Sequence, residues 1–311
     1  MSYQTVAQRL AGQGTVVLDG GVGTEVLRRT GRWVRNGIED SGEAIEAVHR
    51  DYLEAGCHVL TANTFQIGRQ TFLDFFHDLE QMRAIGRPGL EHRAAELQQM
   101  AVGYARRVAG DAPVAVAGSI SPLHHPFRSD LAPDGKAARA AHADTAAGLA
   151  AAGVDLLLLE GFNTLGEAAA ALAAARETGL PAWVSLIPDG HGRTLGGEPL
   201  AEAARLTEGG AAAVLLNCAP IDWIDRGLEV LLDAVEAPVG AYALIGRYAP
   251  PSWKMDFYPR FVRCDETPPA AYAEAARGWI AAGARIVGGC CGTGPDHVRA
   301  LAALAGNGDR P

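Results

Sequence analysis

Residues 284–297 read ARIVGGCCGTGPDH and set two thiols, Cys290 and Cys291, side by side behind an apolar run and two glycines. Neighbouring cysteines close a disulfide with each other only under strain. A second apolar run, AAVLLN at 212–217, delivers Cys218 at its end. Three thiolates meeting at one point would hold a zinc ion and leave its fourth tetrahedral position open to water or substrate. That is the arrangement of a catalytic site, whereas structural sites close the shell with four protein ligands. The same residues are also consistent with small thiols packed in an apolar core, and spacing alone leaves both readings open. Cys57 and Cys264 have no such partners in the pattern and are expected to be packing or loop residues.

Two carboxylates stand at comparable places. DGGVGTE at 19–25 puts Asp19 ahead of Gly20 and Gly21. It is not G-x-G-x-x-G and carries no Walker lysine, and Asp19 would repel a phosphate. Bare amides beside a carboxylate suit a zwitterion, with Gly20 and Gly21 taking its carboxylate and Asp19 its ammonium; a tight turn with a capping Asp is the alternative. Glu160 ends VDLLLLE (154–160), where an unpaired charge is costly to bury; at the mouth of a site it would be a second ammonium ligand. Asn63 and Thr64, after HVLTA (58–62), are further candidates for substrate contact. His58, His124, His125, His191 and His297 form no H-E-x-x-H array and read as surface or capping residues. A lyase or aldolase barrel would want a lysine on a strand or an oxygen- and nitrogen-rich metal site, but Lys136 and Lys254 lie off the strand-like segments. A zinc-stabilised binding protein would want a fourth endogenous ligand.

These residues need elements that bring them together. Short apolar segments recur at 15–19, 58–62, 114–118, 154–160, 182–187, 212–217, 239–244 and 284–289. Most are continuously apolar, as parallel strands buried on both faces are. Ala-rich stretches with helical spacing follow at 43–55, 91–109, 137–152, 165–179, 198–209, 224–236, 270–282 and 296–305. Eightfold strand–helix alternation predicts an α/β fold of the (β/α)8 TIM-barrel type, with a doubly wound open sheet as the alternative. In such a barrel the C-terminal strand ends share one rim, where active sites sit. Asp19, Asn63, Thr64, Ser119, Glu160, Asn217, Cys218, Cys290 and Cys291 all fall there. Residues 119–136 and 245–269 are expected to be long loops, and 1–311 to form one domain with a core of about 12–305.

A formal net charge of −9 gives no support to binding of nucleic acid or an anionic membrane. RRTGRWVR at 28–35 is a short, isolated basic patch. No apolar run approaches the length of a bilayer-spanning helix, and the N-terminal residues carry no apolar signal core. Five unevenly spaced cysteines do not form a disulfide framework. A cytoplasmic setting, where thiols stay reduced, is expected.

The motifs DGGVGTE, AGCHVLTANTF (55–65), GVDLLLLE, LLNCAP (215–220) and GGCCGT, spread along about 12–305, resemble the homocysteine S-methyltransferase family. The resemblance implies a (β/α)8 barrel that uses Zn2+ and takes two small molecules, a thiol acceptor and a methyl donor. It implies Cys218, Cys290 and Cys291 as zinc ligands, and Asp19 and Glu160 as contacts of the homocysteine amino group. Three departures surround that core. SISP (119–122) stands where members read SIGP, Gly161 and Phe162 follow the glutamate where threonine is usual, and Leu244 replaces an asparagine in AYALIGRYAPPSW (241–253). The pocket around the zinc core is therefore altered. The donors considered are a sulfonium such as S-methylmethionine or S-adenosylmethionine, a betaine-type methylammonium, or a separate corrinoid protein. A quaternary ammonium wants an aromatic cage, for which Trp33, Phe65, Phe72, Phe162, Tyr248 and Trp253 are the candidates, with ordinary packing as their alternative role.

Overall fold

The protein is described by a computed structural model covering residues 2–31, 37–73, 79–133, 135–249, 260–263 and 267–307. In chain order the elements are α1 (Ser2–Ala11), β1 (Val16–Val17), α2 (Val22–Thr30), α3 (Gly42–Glu54), β2 (Val59–Ala62), α4 (Arg69–Leu73), α5 (Leu79–Ile85), α6 (Arg93–Ala109), β3 (Ala115–Ile120), α7 (Gly135–Ala152) and β4 (Leu156–Phe162). There follow α8 (Leu165–Arg176), β5 (Ala182–Leu186), α9 (Ala204–Glu208), β6 (Ala213–Asn217), α10 (Ile221–Ala234), β7 (Val239–Tyr242), β8 (Gly246–Ala249), β9 (Arg260–Arg263), α11 (Pro269–Ala282), β10 (Ile286–Val287) and α12 (Pro295–Asn307).

Eight strands pair in parallel in the order β1-β10-β7-β6-β5-β4-β3-β2. The edge strands meet through a parallel bridge between Leu18 and Val59, so the sheet closes on itself into a (β/α)8 barrel. Each of the eight apolar segments supplies one strand. The side chains alternate as the pleat requires. Leu156 and Leu158 of β4 point into the barrel with Val16, Leu18, Ala115, Ala117, Trp183, Leu215 and Ile286. Leu157 and Leu159 face the helical layer. This double burial explains why the strands read as unbroken apolar runs.

Helix α1 packs across the N-terminal end of the barrel: its Val6 joins the inner core, and Tyr3 meets Trp183 at 6.3 Å between ring centroids. The Trp183 indole N–H donates to the Tyr3 hydroxyl at 3.4 Å, so the buried polar atom is satisfied.

Several elements escaped the periodicity. Helices α1, α2, α4 and α5 are not among the expected helical stretches, and α4 and α5 are short. Residues 200–208 form a 3-10 turn running into α9 rather than one helix. Arg28 and Arg29 of the basic patch lie on α2, and both pair with Glu25, while Arg29 also reaches Asp51 at 2.6 Å. Within 245–269, expected as loop, β8 and β9 form an antiparallel hairpin. Cys264, Trp33, Trp253 and Lys254 lie outside the described residues.

Trp183 is fully buried and Ile85 is 72% exposed. Truncating Trp183 to Ala should cost about 3–5 kcal/mol in urea unfolding, while Ile85→Ala should stay within about 0.5 kcal/mol of the parent.

Candidate metal and substrate site

The C-terminal rim collects the reactive side chains. Cys218 directly follows β6, and its backbone adopts φ 56°, a left-handed conformation that costs a non-glycine residue about 1–3 kcal/mol and is found where surrounding structure enforces it. The Cys218 turn is tied to the chain after β7, where the Leu244 amide donates to the Ala219 carbonyl at 3.1 Å. Cys290 and Cys291 follow β10. From the β7 side, the Cys290 amide donates to Ala243 O at 3.2 Å and the Ile245 amide to Cys291 O at 2.9 Å. The barrel thereby brings the Sγ atoms of Cys218, Cys290 and Cys291 within 4.8 Å of one another.

That spacing fits a metal. Sulfurs about 2.3 Å from a tetrahedral zinc lie about 3.8 Å apart, so small adjustments would gather all three. Cys218 is buried and the adjacent pair is half-buried. The Cys290 thiol is pushed well above its ordinary range, first by its hydrogen bonds to Cys218 and Cys291, then by burial. Three thiolates so close repel one another, and a bound cation relieves that repulsion.

The two carboxylates have the same need. Asp19 is buried, accepting from the Thr61 amide at 2.6 Å and the Thr61 hydroxyl at 2.8 Å. Burial nonetheless raises its pKa to about 8, and the charge of Glu160 adds to the rise. Glu160 accepts from the Ser119 hydroxyl at 2.5 Å and from the Tyr242 hydroxyl at 3.0 Å. Burial raises its pKa to about 7, with Cys291 contributing. A carboxylate has about four lone-pair sites, so each acid retains acceptor capacity for a cationic donor. Behind them, Asn217 Oδ1 accepts from the Ser185 hydroxyl at 2.9 Å and the Gly161 amide at 3.2 Å, which stiffens the ends of β4, β5 and β6.

Some of the other expected contacts are engaged within the protein. The Gly21 amide, expected to be free for a substrate carboxylate, donates to both the carbonyl and the hydroxyl of Thr293 at 3.2 Å. Gly20 lies so close to Tyr52 that an added Cβ would come within 2.7 Å of the phenol oxygen. The Thr64 hydroxyl donates to Ser119 O at 2.9 Å and accepts from Ser119 N at 3.0 Å, tying the end of β2 to β3. Asn63 is buried at the end of β2. Phe162 is fully buried against His142, with rings 5.6 Å apart, so it belongs to the core rather than to the rim. Phe65 is half-buried near Gly161, whereas the side chains of Phe72 and Tyr248 lie outside the description. His58 and His297 are structural: His58 Nδ1 accepts from Val17 N and His297 Nδ1 from Gly294 N.

Sequence reasoning passed over Tyr242, Thr24, Thr293 and the buried pair His142–Glu167. A tyrosine at the C-terminal end of β7 was a usable signal for the first. The pair carried none, because its 3.2 Å contact joins two different helices.

Fold and rim together define a barrel enzyme whose reactive side chains sit at the C-terminal strand ends. A family model described as homocysteine S-methyltransferase matches residues 16–305, and the chain belongs to that family and is a methyltransferase. Similar proteins include homocysteine S-methyltransferase YbgG of Bacillus subtilis, 28% identical over 93% of this chain and 94% of that one. Betaine–homocysteine S-methyltransferase 1 of Danio rerio is 27% identical over 97% of this chain and 75% of that one. The metallated homocysteine methyltransferase MmuM of Escherichia coli shares the fold, with a TM-score of 0.76 at 24% identity over 96% of this chain and 99% of that one.

Asp19 and Glu160 both rise in pKa on folding, so the folded, unliganded chain binds more protons than the unfolded one. Its stability is therefore present in full below the unfolded carboxyl values of about 4 and is lost as pH rises through the folded ones. Urea midpoints of the unliganded chain should fall from pH 4 towards pH 8, the span set by these two acids. Asp19→Asn should flatten that fall, and an unchanged slope would show that Asp19 does not titrate this way.

Proposed function

We propose that the chain moves a methyl group from a sulfonium donor, S-methylmethionine or S-adenosylmethionine, to the thiol of L-homocysteine, giving methionine. In this reading Cys218, Cys290 and Cys291 hold a zinc ion. The observation that carries the proposal is the convergence of the three Sγ atoms within 4.8 Å at the barrel rim. Family membership supports it. So does the pairing of a thiol-binding centre with two carboxylates that lack a cationic partner among the described residues.

The zinc would lower the pKa of the acceptor thiol and keep a nucleophile available near neutral pH. Asp19 and Glu160 would share the ammonium of the amino acid, which supplies the positive charge their burial calls for. Thr61 holds Asp19 from both oxygens, while Ser119 and Tyr242 aim Glu160. A substrate tied at its amine and at its sulfur has little freedom left, so most of the catalytic benefit comes from alignment. The acceptor sulfur forms its bond to the methyl carbon as the donor's C–S bond breaks, and the donor leaves as a neutral thioether. No general base or oxyanion hole is required of the chain. Leu244 and Ile245 are buried beside the cysteine turns and help keep water out. Asn63 remains a candidate substrate contact at the same rim. The whole barrel, 1–311 with its core at about 12–305, would act as one unit, in a reducing cytoplasm that keeps the thiols free.

Zinc content and a methyl-donor panel with L-homocysteine test the reading. The purified chain should carry one zinc, and Cys290→Ala should lose both zinc and methyl transfer. Activity at the parent rate without metal would sink the proposal. S-methylmethionine or S-adenosylmethionine should outrun betaine, and the reverse order would reassign the donor.

Asp19→Asn and Glu160→Gln should each raise the homocysteine Kd at least about tenfold, as loss of a charge-assisted contact does. Both should retain zinc. Loss of zinc with unchanged acceptor affinity would give these acids another role.

A further inference from the structure

We infer that Thr24 and Thr293 are positioning residues for the cysteine pair: their hydroxyls fasten Gly21 and the first turn of α2 to the turn at 290–293 and hold Cys290 and Cys291 where a metal can be shared with Cys218. This rests on the metal reading above and adds residues to it.

Each hydroxyl has both of its roles taken. Thr24 Oγ1 donates to the Gly21 carbonyl at 2.9 Å and accepts from the Gly292 amide at 3.0 Å. Thr293 Oγ1 accepts from the Gly21 amide at 3.2 Å and donates to the Cys290 carbonyl at 2.7 Å. A relay thus runs from the Gly21 amide through the Thr293 hydroxyl to the backbone of the first cysteine. A second runs from the backbone just after Cys291 through the Thr24 hydroxyl to the Gly21 carbonyl. Both converge on Gly21, so the turn is gripped on either side of Cys291.

The surrounding backbone is shaped to these two side chains. A Cβ at Gly21 would lie 2.5 Å from Thr24 Oγ1 and 2.7 Å from the Cys290 carbonyl oxygen. A Cβ at Gly289 would lie 2.1 Å from Thr293 Oγ1. The Thr293 amide also closes on Cys290 O at 3.1 Å, and the Tyr52 hydroxyl donates to Thr293 O at 3.1 Å. The glycines of DGGVGT and GGCCGT therefore let two loops approach until two threonines can link them. In these bonds both hydroxyls act through the backbone rather than on a sulfur. They lie one step beyond the ligands, where lost hydrogen bonds characteristically weaken metal binding without removing a ligand.

Valine matches threonine in shape but lacks the hydroxyl, and serine keeps the hydroxyl. Zinc affinity of the full chain is measured by competition with a chromogenic chelator for the parent, Thr24→Val, Thr24→Ser, Thr293→Val and Thr293→Ser. The valine variants should raise the zinc Kd about 10–100-fold, and the serine variants should stay within about threefold of the parent. Parent-like affinity in both valine variants would overturn the inference. So would serine variants as weak as the valine ones, since that pattern reports damage to shape rather than loss of hydrogen bonds. Amide exchange in the metal-free parent gives a check that survives a variant failing to fold. The Gly21 and Gly292 amides should be strongly protected, and rapid exchange at both would overturn the clamp. A parent chain that binds no zinc would instead overturn the metal reading and this role with it, an outcome distinct from a zinc-binding parent with indifferent variants.

Discussion

Five acidic groups share one rim, and that crowding is the constraint on which the site is built. Asp19, Glu160 and the three thiols of Cys218, Cys290 and Cys291 are drawn together by the barrel, and the charges of Asp19, Glu160 and Cys291 act on one another. Ionising all five in a largely buried setting is prohibitively costly. The raised pKa values are the folded chain's answer when nothing is bound. A metal at the sulfurs and an ammonium at the carboxylates would be the other answer. Crowded acids of this kind carry an electrostatic cost that any bound cation would relieve, and the surrounding hydrogen bonds keep these groups from moving apart.

The barrel supplies that restraint through very short pieces of strand. β1 and β10 are two residues each, yet their continuations carry Asp19 and the cysteine pair. Hydrogen bonds outside the regular ladder take over where the strands stop. The Gly289 amide donates to the Asp19 carbonyl at 2.9 Å, which links Asp19 to the backbone one residue before Cys290. The amides of Cys290 and Ile245 then tie the same turn to the chain beyond β7. The acids and the thiols are therefore parts of a single framework, and a shift in one is felt by the other.

Hydroxyl side chains around the rim divide into two kinds. Ser119, Tyr242 and Thr61 bond to and hold the two carboxylates. Thr24, Thr64, Thr293 and Tyr272 fasten one loop to another, as when the Tyr272 hydroxyl bonds both Ala243 O and Gly288 O beneath the cysteine turn. The threonine hydroxyls suit this second task because one oxygen both donates and accepts, whereas Tyr272 shares its one O–H between two carbonyl oxygens. Their abundance around the rim is consistent with a site that depends on alignment rather than on a strong acid or base.

The alternation of apolar and Ala-rich segments determined a parallel α/β fold of eight strands from sequence alone, since strands covered on both faces must be apolar; it favoured a barrel over an open sheet, and the parallel bridge between Leu18 and Val59 decided closure. It also put Asp19, Glu160, Cys218, Cys290 and Cys291 at strand ends, because a strand's last residue is read directly from where the apolar run stops. The convergence of three sulfurs within 4.8 Å needed the closed sheet, which makes neighbours of β6, β7 and β10. The same holds for the uses of the glycine-rich motif. Its sequence suggested amides open to a ligand, whereas the fold places the Gly21 amide against Thr293. Hydrogen-bond partners hundreds of residues apart leave no trace in local periodicity, so which polar groups face the substrate and which hold the frame was decided by tertiary packing.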